Sequence, residues 1–251
     1  KNSYGGNCPP PTPTTLKSPS VQKFINIQCH YYSIQIIELQ NFSVSKVEQK
    51  QTKKHPQPPF TTSTLQQEAA RKLHFSAKRT MQTAQRLYEG ITLNGETVGL
   101  ITYMRTDGVS IAQEAISNFR QYISMDFGKD YLPDSPRIYK SKAKNTQEAH
   151  EAIRPTDIFT SPNEVSLSND EEKLYTLIWN RTVASQMVNS RYERKILTID
   201  SNDKKYSFKA SSRKNVFLGF ETLTKEGEDT DFQFPENLVK GINLDLTSKE
   251  A

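Results

Sequence analysis

The sequence is poor in cysteine and contains no long hydrophobic run. Its two cysteines, Cys8 and Cys29, both lie near the beginning and outside any pattern of paired metal ligands. This excludes a disulfide scaffold and favours a reducing cytoplasm. No apolar run approaches the roughly 20 residues of a membrane-spanning helix, so we predict a soluble protein with no membrane partner. Internal repeats, heptads and a glycine-rich phosphate-binding loop are also missing from the sequence.

Basic residues are what the sequence has in excess. The 251 residues carry a formal charge of +5, and only 34% of them are hydrophobic. The isoelectric point is about 9.0 and the mean hydropathy is −0.71. From Glu221 to Ala251 acidic residues outnumber basic ones, so the rest of the chain is more basic than the total implies. This distribution favours a polyanionic partner such as nucleic acid.

The order of patterns predicts a multi-domain, mixed α and β chain. Residues 1–22 are rich in Pro, Thr, Ser and Gly and predict a disordered or linker-like tail. Residues 23–58 predict the first part of a β-domain, which ends at Pro56, Pro58 and Pro59. Residues 59–188 predict a helical domain, and residues 189–251 predict the second part of the β-domain. A mainly helical catalytic domain inserted between two parts of a β-domain explains this order.

Local signals predict the individual elements. Two β-hairpins are expected, at Asn94-Gly95 and at Asn202-Asp203, and the first carries Tyr103 at the end of its second strand. A short helix that stops before Pro155 would place His150 and Arg154 one turn apart on one face. The four longer helices have predicted N-caps at Ser63, Ser76, Ser110 and Ser168.

The segment "GLITYMRTDG", residues 99–108, has the composition of a catalytic turn. Tyrosine is a weak nucleophile at its ordinary pKa of about 10, so a nearby cation must favour its phenolate. Arg105 is always charged and binds a phosphate through two parallel hydrogen bonds. Asp107 can hold Arg105 or a histidine in place. The spacing alone equally describes a packing tyrosine beside a surface arginine, and that interpretation is the commoner one.

Other polar residues of the predicted helical domain are candidates for proton transfer and phosphate binding. His150 titrates near neutral pH, and Arg154 can bind a neighbouring phosphate. Lys78, Arg79 and Arg86 form a basic helix surface that suits a DNA backbone. The alternatives are a solvated face or a cap for the pair His150 and Arg154, and a solvated basic face for the other three.

Four segments taken together resemble the type IA DNA topoisomerases, and bacterial topoisomerase I in particular. They are "PPFTTSTLQQEA" at 58–69, "TMQTAQRLYEG" at 80–90, "GLITYMRTD" at 99–107 and "QEAHEAIRPT" at 147–156. They occur in the order of that family and at workable spacing. The resemblance covers about residues 42–200 well, the later strands more loosely, and residues 1–40 not at all. Gly108 departs from the family, where many members carry serine.

The resemblance implies a function and roles for named residues. Tyr103 would cut one DNA strand and hold its 5′ end as a phosphotyrosine, Arg105 would stabilise the scissile phosphate, and His150 would lie near the site. Asp107 would support them, and Arg154, Lys78, Arg79 and Arg86 would bind DNA, single-stranded DNA above all. The activity would be ATP-independent relaxation of negatively supercoiled DNA in the bacterial cytoplasm, associated with the nucleoid. The helical domain would move away from the rest of the enzyme, hinged by the β-domain.

The resemblance also implies a Mg²⁺ cofactor that this chain does not bind by itself. In the family, acidic residues of a separate domain N-terminal to these motifs hold the metal, and no Asp-x-Asp occurs in the first 100 residues here. We therefore expect a central fragment that works with the remainder of a topoisomerase chain and is inactive alone. A non-catalytic remnant that binds single-stranded nucleic acid is the alternative, and a scaffold for protein partners is a third possibility.

Overall fold

Four α-helices and eight β-strands make up the part of the chain that the structure, a computed structural model, describes. This part comprises residues 14–18, 21–25, 41–93, 95–140, 151–224, 234–235 and 238–248. The strands are β1 (Thr14–Ser18), β2 (Val21–Ile25), β3 (Phe42–Lys54), β4 (Ile91–Leu93), β5 (Glu96–Val98), β6 (Ser190–Ser201), β7 (Ser207–Phe217) and β8 (Asn243–Ser248). The α-helices are α1 (Thr62–Leu73), α2 (Ala77–Glu89), α3 (Gln113–Asp126) and α4 (Asn169–Gln186). Three short 3₁₀ helices lie at Lys129–Tyr131, Pro162–Glu164 and Gly219–Thr222.

The chain divides into a β unit and a helical unit. The β unit comprises Lys1–Thr52, Arg191–Val216 and Glu228–Ala251, and the helical unit comprises Lys53–Ser190 and Phe217–Gly227. The predicted mixed α and β class is confirmed. The assignment of residues 217–224 to the β-domain is wrong, because Phe220 is buried in the helical core and its N–H donates to Val188 O at 3.1 Å.

The β unit is built on one six-stranded sheet in the order β2-β1-β8-β3-β6-β7. Strand β1 pairs antiparallel with β2 and β8, and β8 pairs antiparallel with β3. Between β6 and β7 the Ser201 N–H donates to Tyr206 O at 2.9 Å, which confirms the predicted hairpin at Asn202-Asp203. The buried core of this unit contains Phe42, Val44, Leu197, Ile199, Phe234, Leu238 and Leu244.

Strand β1 and the first two residues of β2 correct the prediction of a disordered tail at those positions. Local composition at the N-terminus is poor in apolar residues, but β1 gains its hydrogen-bonding partner from β8 at the other end of the chain, with Leu16 opposite Leu246. A partner so distant in sequence leaves no trace in the local pattern.

The helical unit packs its helices around α4. The aromatic side chains of Tyr175 and Trp179 on α4 are buried, and their polar atoms donate to the carbonyls of Thr160 (2.7 Å) and Ile158 (3.1 Å). A buried aromatic side chain stabilises a fold by roughly 1.5–3 kcal/mol when its polar atom is also satisfied. Among the described helices, none combines the length and apolarity that a membrane crossing needs.

Two predicted N-caps are confirmed and two are wrong. Ser76 caps α2 through the N–H of Arg79, and Ser168 forms a capping box with Glu171 at α4. Helix α1 begins earlier than predicted, because Thr61 rather than Ser63 forms the capping box, with Thr64. At α3, Ala112 occupies the N-cap position without a side-chain bond.

Candidate active site

Tyr103 lies in an irregular segment, residues 99–108, that follows the two-stranded β4–β5 hairpin. Strand β5 ends at Val98, so the prediction of a strand running to Tyr103 is wrong. Instead, backbone hydrogen bonds fix the segment from both sides. Leu100 N donates to Leu87 O at 2.8 Å, at the end of α2, and Thr102 N donates to Arg154 O at 2.9 Å. The tyrosine is therefore held by its neighbours in the fold rather than by the hairpin.

The predicted helix before Pro155 is absent from residues 151–154, which run alongside the tyrosine segment as extended chain. Ile153 forms an antiparallel bridge with Phe60, and Pro155 forms one with Ile101. Both isoleucines are buried, so burial of apolar side chains favours bridging over a helical turn there. His150 lies outside the described residues.

The hydroxyl of Thr62, in the first turn of α1, fixes the backbone after the tyrosine. It donates to Met104 O at 2.8 Å and accepts a hydrogen bond from Thr106 N at 2.8 Å, while the N–H of Thr62 donates to Thr106 O at 2.9 Å. On the other side, the hydroxyl of Thr102 donates to Ala152 O at 2.7 Å and accepts from Arg154 N at 3.0 Å. Sequence reasoning missed both threonines.

Burial alternates along the segment and leaves two of the candidate catalytic residues, Tyr103 and Arg105, exposed together with the supporting residue Asp107. Met104 and Thr106 are buried, whereas Tyr103, Arg105 and Asp107 reach the surface. Tyr103 is 38% exposed. The structure thus places a tyrosine, an arginine and an aspartate on one short surface stretch whose backbone is fixed.

Tyr88, in the last turn of α2, packs edge-on against Tyr103. The ring centroids lie 5.4 Å apart at an interplanar angle of 67°, a favourable T-shaped arrangement. Gly99 keeps this contact close, because a Cβ at that position would lie 2.6 Å from the carbonyl oxygen of Tyr88. Sequence reasoning missed this contact.

Arg154 is bound within the fold and only 13% of its side chain is exposed. Its Nε donates to Glu151 Oε2 at 2.8 Å and its Nη1 donates to Pro155 O at 2.9 Å. Glu151 Oε1 in turn accepts from the N–H of Ala112 at 2.7 Å, at the start of α3. The geometry therefore gives Arg154 a structural task beside the tyrosine segment, and its predicted contact with DNA stays a prediction.

The predicted basic surface on α2 is largely engaged in ion pairs with α4. Arg79 binds both carboxylate oxygens of Asp170 at 2.7 Å, and Arg86 Nε donates to Glu171 Oε1 at 2.6 Å. The hydrogen bond from Arg79 holds the pKa of Asp170 below its usual value. Burial by itself would raise the pKa of Glu171, but hydrogen bonds from Ser168 and Arg86 outweigh it and lower that pKa. Lys78 is exposed.

The described residues do not form a site for Mg²⁺. Among them, no three His, Cys, Asp or Glu side chains lie close enough together to hold a metal ion. Beside the tyrosine, Asp107 is exposed on its own stretch of surface, and the oxygens of Glu151 are occupied by Arg154 and Ala112. Mg²⁺ requires about six oxygen ligands in near-octahedral geometry, so the residues described here do not fit the ion.

Comparisons with known proteins agree on one family. A family model described as "DNA topoisomerase" matches residues 16–251, and so includes residues for which the sequence gave no resemblance. Curated proteins named "DNA topoisomerase 1" from Rickettsia felis and Xylella fastidiosa (strain Temecula1) are 53% and 48% identical over 197 and 189 residues. These matches cover 78% and 74% of this chain.

A solved structure of full-length topoisomerase I from Thermotoga maritima is similar at a TM-score of 0.77 and 32% identity. It matches 94% of this chain, which covers 40% of that one. The two curated relatives are covered over only 25% and 23% of their own lengths. The chain thus spans about a quarter of the length of the curated relatives it matches.

Proposed function

The chain belongs to the bacterial type IA DNA topoisomerases, and from that membership we propose that it carries the nucleophile with which such an enzyme cuts and reseals one DNA strand. Tyr103 is this nucleophile. The reaction is the ATP-independent relaxation of negatively supercoiled DNA. The remainder of a topoisomerase chain is needed to complete the site.

One observation carries the proposal. The side chain of Tyr103 is exposed beside those of Arg105 and Asp107 while the backbone beneath is held by Thr62 and Thr102. A nucleophile on a fixed backbone needs less ordering when the substrate binds, and such pre-organisation lowers the barrier.

The chemistry is a transesterification that balances without an external energy source. The Oη of Tyr103 attacks the phosphorus of a phosphodiester, so that a P–Oη bond forms and the bond from phosphorus to the 3′ oxygen breaks. The phenol loses its proton and the departing 3′ oxygen gains one. The 5′ end stays on the tyrosine as a phosphate ester, and attack by the 3′ hydroxyl reverses every step.

The neighbouring side chains have separate tasks in this scheme. Arg105 binds the oxygens of the scissile phosphate and stabilises the charge that develops on them. Asp107 orients Arg105, and His150 carries protons to or from the reacting oxygens. Arg154 forms an ion pair with Glu151 beside the tyrosine segment. Its guanidinium contacts a DNA phosphate only if this ion pair opens.

Single-stranded DNA is the proposed substrate, and the bacterial cytoplasm, with the nucleoid, is the proposed place of action. Lys78 is the basic residue on α2 that is best placed to bind a backbone phosphate, because Arg79 and Arg86 pair with α4. These two arginines are half exposed, so each retains a face toward solvent and stays a candidate for a second contact. Binding that depends on such contacts weakens as salt rises.

Mg²⁺ belongs to the proposed complete enzyme rather than to the described residues. When bound, it would offset charge on DNA phosphates. Because the described residues do not fit the ion, we assign its ligands to the remainder of the topoisomerase chain. None of the tasks given above to Tyr103, Arg105 or Asp107 passes through the metal.

A chimaera tests the proposal. The matched 197 residues of the Rickettsia felis relative are replaced by the corresponding residues of this chain, and relaxation of negatively supercoiled plasmid is measured with Mg²⁺ and without ATP. We expect relaxation, and we expect Tyr103→Phe to abolish it. The control is Tyr131→Phe, at a partly buried tyrosine in the same unit. Relaxation that survives Tyr103→Phe would overturn the proposal.

A further inference from the structure

A pocket of about 360 Å³ lies in the helical unit, and none of its lining residues belongs to the tyrosine segment. It is lined by the second half of α1, by α4, by the last residue of β3 with the residues after it, and by the 3₁₀ segment at Gly219–Thr222 with the residues after it. Its volume lies in the range of about 300–1,000 Å³ typical of small-molecule sites. The proposed cleavage chemistry makes no use of it.

Positive charge dominates the described lining of this pocket. Five cations line it, with Glu68 as the single acidic lining residue: Lys54, Arg71, Lys72, Lys173 and Arg181. Three of them share the Glu68 carboxylate, at 2.7 Å for Arg71, 3.3 Å for Lys72 and 3.5 Å for Arg181. The hydrogen bond from Arg71 is the main cause of a pKa of Glu68 below its usual value. Within the lining, three cations thus converge on one carboxylate.

The opposite wall combines a cation with an aromatic ring. Lys54 Nζ binds the buried carboxylate of Glu221 at 2.7 Å and also lies 5.9 Å from the ring centroid of Phe220. Apolar side chains that pack against the helical core also line the pocket, namely Leu73, Leu177 and Leu223. The remaining lining includes the polar residues His55, Gln57, Thr176, Asn180 and Thr224. A molecule that fills the pocket therefore meets cations and apolar surface together.

We propose that this pocket binds a nucleotide, with a phosphate on the cations of α1 and α4 and the base against the apolar side chains. Two arginines favour phosphate, because a planar guanidinium binds two phosphate oxygens at once. The apolar surface favours a ligand with a flat, weakly polar part over inorganic phosphate. The nucleotide is either free or part of a DNA strand, and the experiment distinguishes these two sources.

Calorimetric titration of the 251-residue chain tests the proposal with three ligands. Thymidine 5′-monophosphate tests the free nucleotide, thymidine tests the base without phosphate, and a 5′-phosphorylated octathymidylate tests a strand. We expect saturable binding of the monophosphate or the oligonucleotide, and at least tenfold weaker binding of thymidine. Saturation by the monophosphate identifies a free nucleotide, whereas saturation by the octamer alone identifies a strand.

Charge reversal locates the binding. Lys173→Glu, on an exposed position of α4, should weaken binding about tenfold, the usual effect of losing one charged hydrogen bond. The matched control is Lys129→Glu, an exposed lysine of the same unit that does not line the pocket. It should change the dissociation constant less than twofold. Tyr103→Phe should leave binding unchanged, so the outcome is independent of the proposed cleavage role.

Four results would overturn the proposal. Three are the absence of saturable binding by either phosphate ligand, equal loss in Lys173→Glu and Lys129→Glu, and loss in Tyr103→Phe. Binding of a polyglutamate peptide in place of both phosphate ligands would likewise contradict it, because carboxylates would then be the recognised group.

Discussion

Thr62 fixes the backbone beside the proposed nucleophile, although its own side chain takes no part in the proposed reaction. Its hydroxyl satisfies the carbonyl of Met104 and the N–H of Thr106, one on each side of Arg105. Thr62→Val removes both hydrogen bonds at nearly constant volume. We expect a loss of about 1–3 kcal/mol in the free energy of unfolding, because two backbone groups lose their partner. Thr62→Ser keeps the hydroxyl and should lose less than half as much in urea denaturation, and equal losses would contradict this role.

Tyr88 is the residue whose ring contact restricts the orientation of Tyr103. Tyr88→Ala should allow the phenol to leave its present orientation and lower the cleavage rate of the chimaera at saturating DNA, with little change in DNA affinity. Tyr88→Phe keeps the ring and should restore most of the rate. The ring signals of Tyr103 in NMR spectra report the same contact without catalysis. They should shift in Tyr88→Ala and hardly move in Tyr88→Phe, and the reverse order would contradict the prediction.

The residues of the candidate site differ in whether neighbouring sequence positions reveal their role. Tyr103, Arg105 and Asp107 occur within five positions, so their meeting on one surface follows from the sequence alone. Thr62 and Thr102 act on backbone atoms 42 and 50 positions away. A threonine that binds a distant carbonyl has the same local pattern as a threonine in a turn. Glu151 pairs with Arg154 across three positions of extended chain, so the helical spacing rule does not account for this ion pair.

Among the elements, α2 and α4 are joined by ion pairs whose effect depends on pH. The pKa values of Asp170 and Glu171 are lowered in the folded chain. The stability that these carboxylates contribute is therefore present above their ordinary pKa values, about 4, and is lost as the pH falls through the lowered ones. Between pH 5 and pH 3, the melting temperature of the double variant Asp170→Asn, Glu171→Gln should fall less than that of the parent. A parallel decline of both proteins would contradict this assignment.

The end of α2 and the start of the tyrosine segment form one close contact at Gly99. Gly99→Ala should cost about 1–3 kcal/mol in the free energy of unfolding, because its Cβ would meet a backbone oxygen at 2.6 Å and the segment must move. Gly95→Ala is the control, since a Cβ there meets nothing within 4 Å and only the positive φ of 88° opposes it. A smaller loss at Gly99 than at Gly95 would contradict the account.

Most elements could be predicted from sequence because helices and hairpins leave local signals. Helix α4 begins at the capping box formed by Ser168 and Glu171, as predicted, and the β6–β7 hairpin turns at Asn202-Asp203. The prediction failed at residues 151–154, where helix-forming residues are extended because Ile153 pairs with Phe60, 93 positions earlier. Ser110, the predicted cap of α3, instead accepts the N–H of Ala152 on its carbonyl.

At the scale of the whole molecule, the helical unit is inserted into a β unit that the chain enters three times. The proline-rich boundary near residue 56 and the return of strand patterns near residue 190 made this insertion predictable. The pairing of β1 with β8 was not, because it joins the two ends of the chain. Pairing between strands so far apart in sequence depends on the whole sheet, and no local stretch of sequence reveals it.

The proposed DNA contacts of the chain predict how its binding depends on salt. We expect the 251-residue chain alone to bind single-stranded oligonucleotide weakly, with a logarithm of affinity that falls linearly with the logarithm of salt concentration. Fluorescence anisotropy at several salt concentrations measures the slope. Lys78→Gln should make the slope shallower by about one phosphate contact. Affinity that does not respond to salt would instead indicate a scaffold for other ligands.

The measurement that tests the central claim most directly is the isolation of the covalent adduct. The chimaera is incubated with Mg²⁺ and an oligonucleotide, denatured and digested with protease, and the peptide that retains DNA is identified by mass spectrometry. We predict a peptide that contains Tyr103 with the 5′ phosphate on its phenol oxygen, and no adduct in Tyr103→Phe. An adduct on another residue, or one that persists in Tyr103→Phe, would contradict the account.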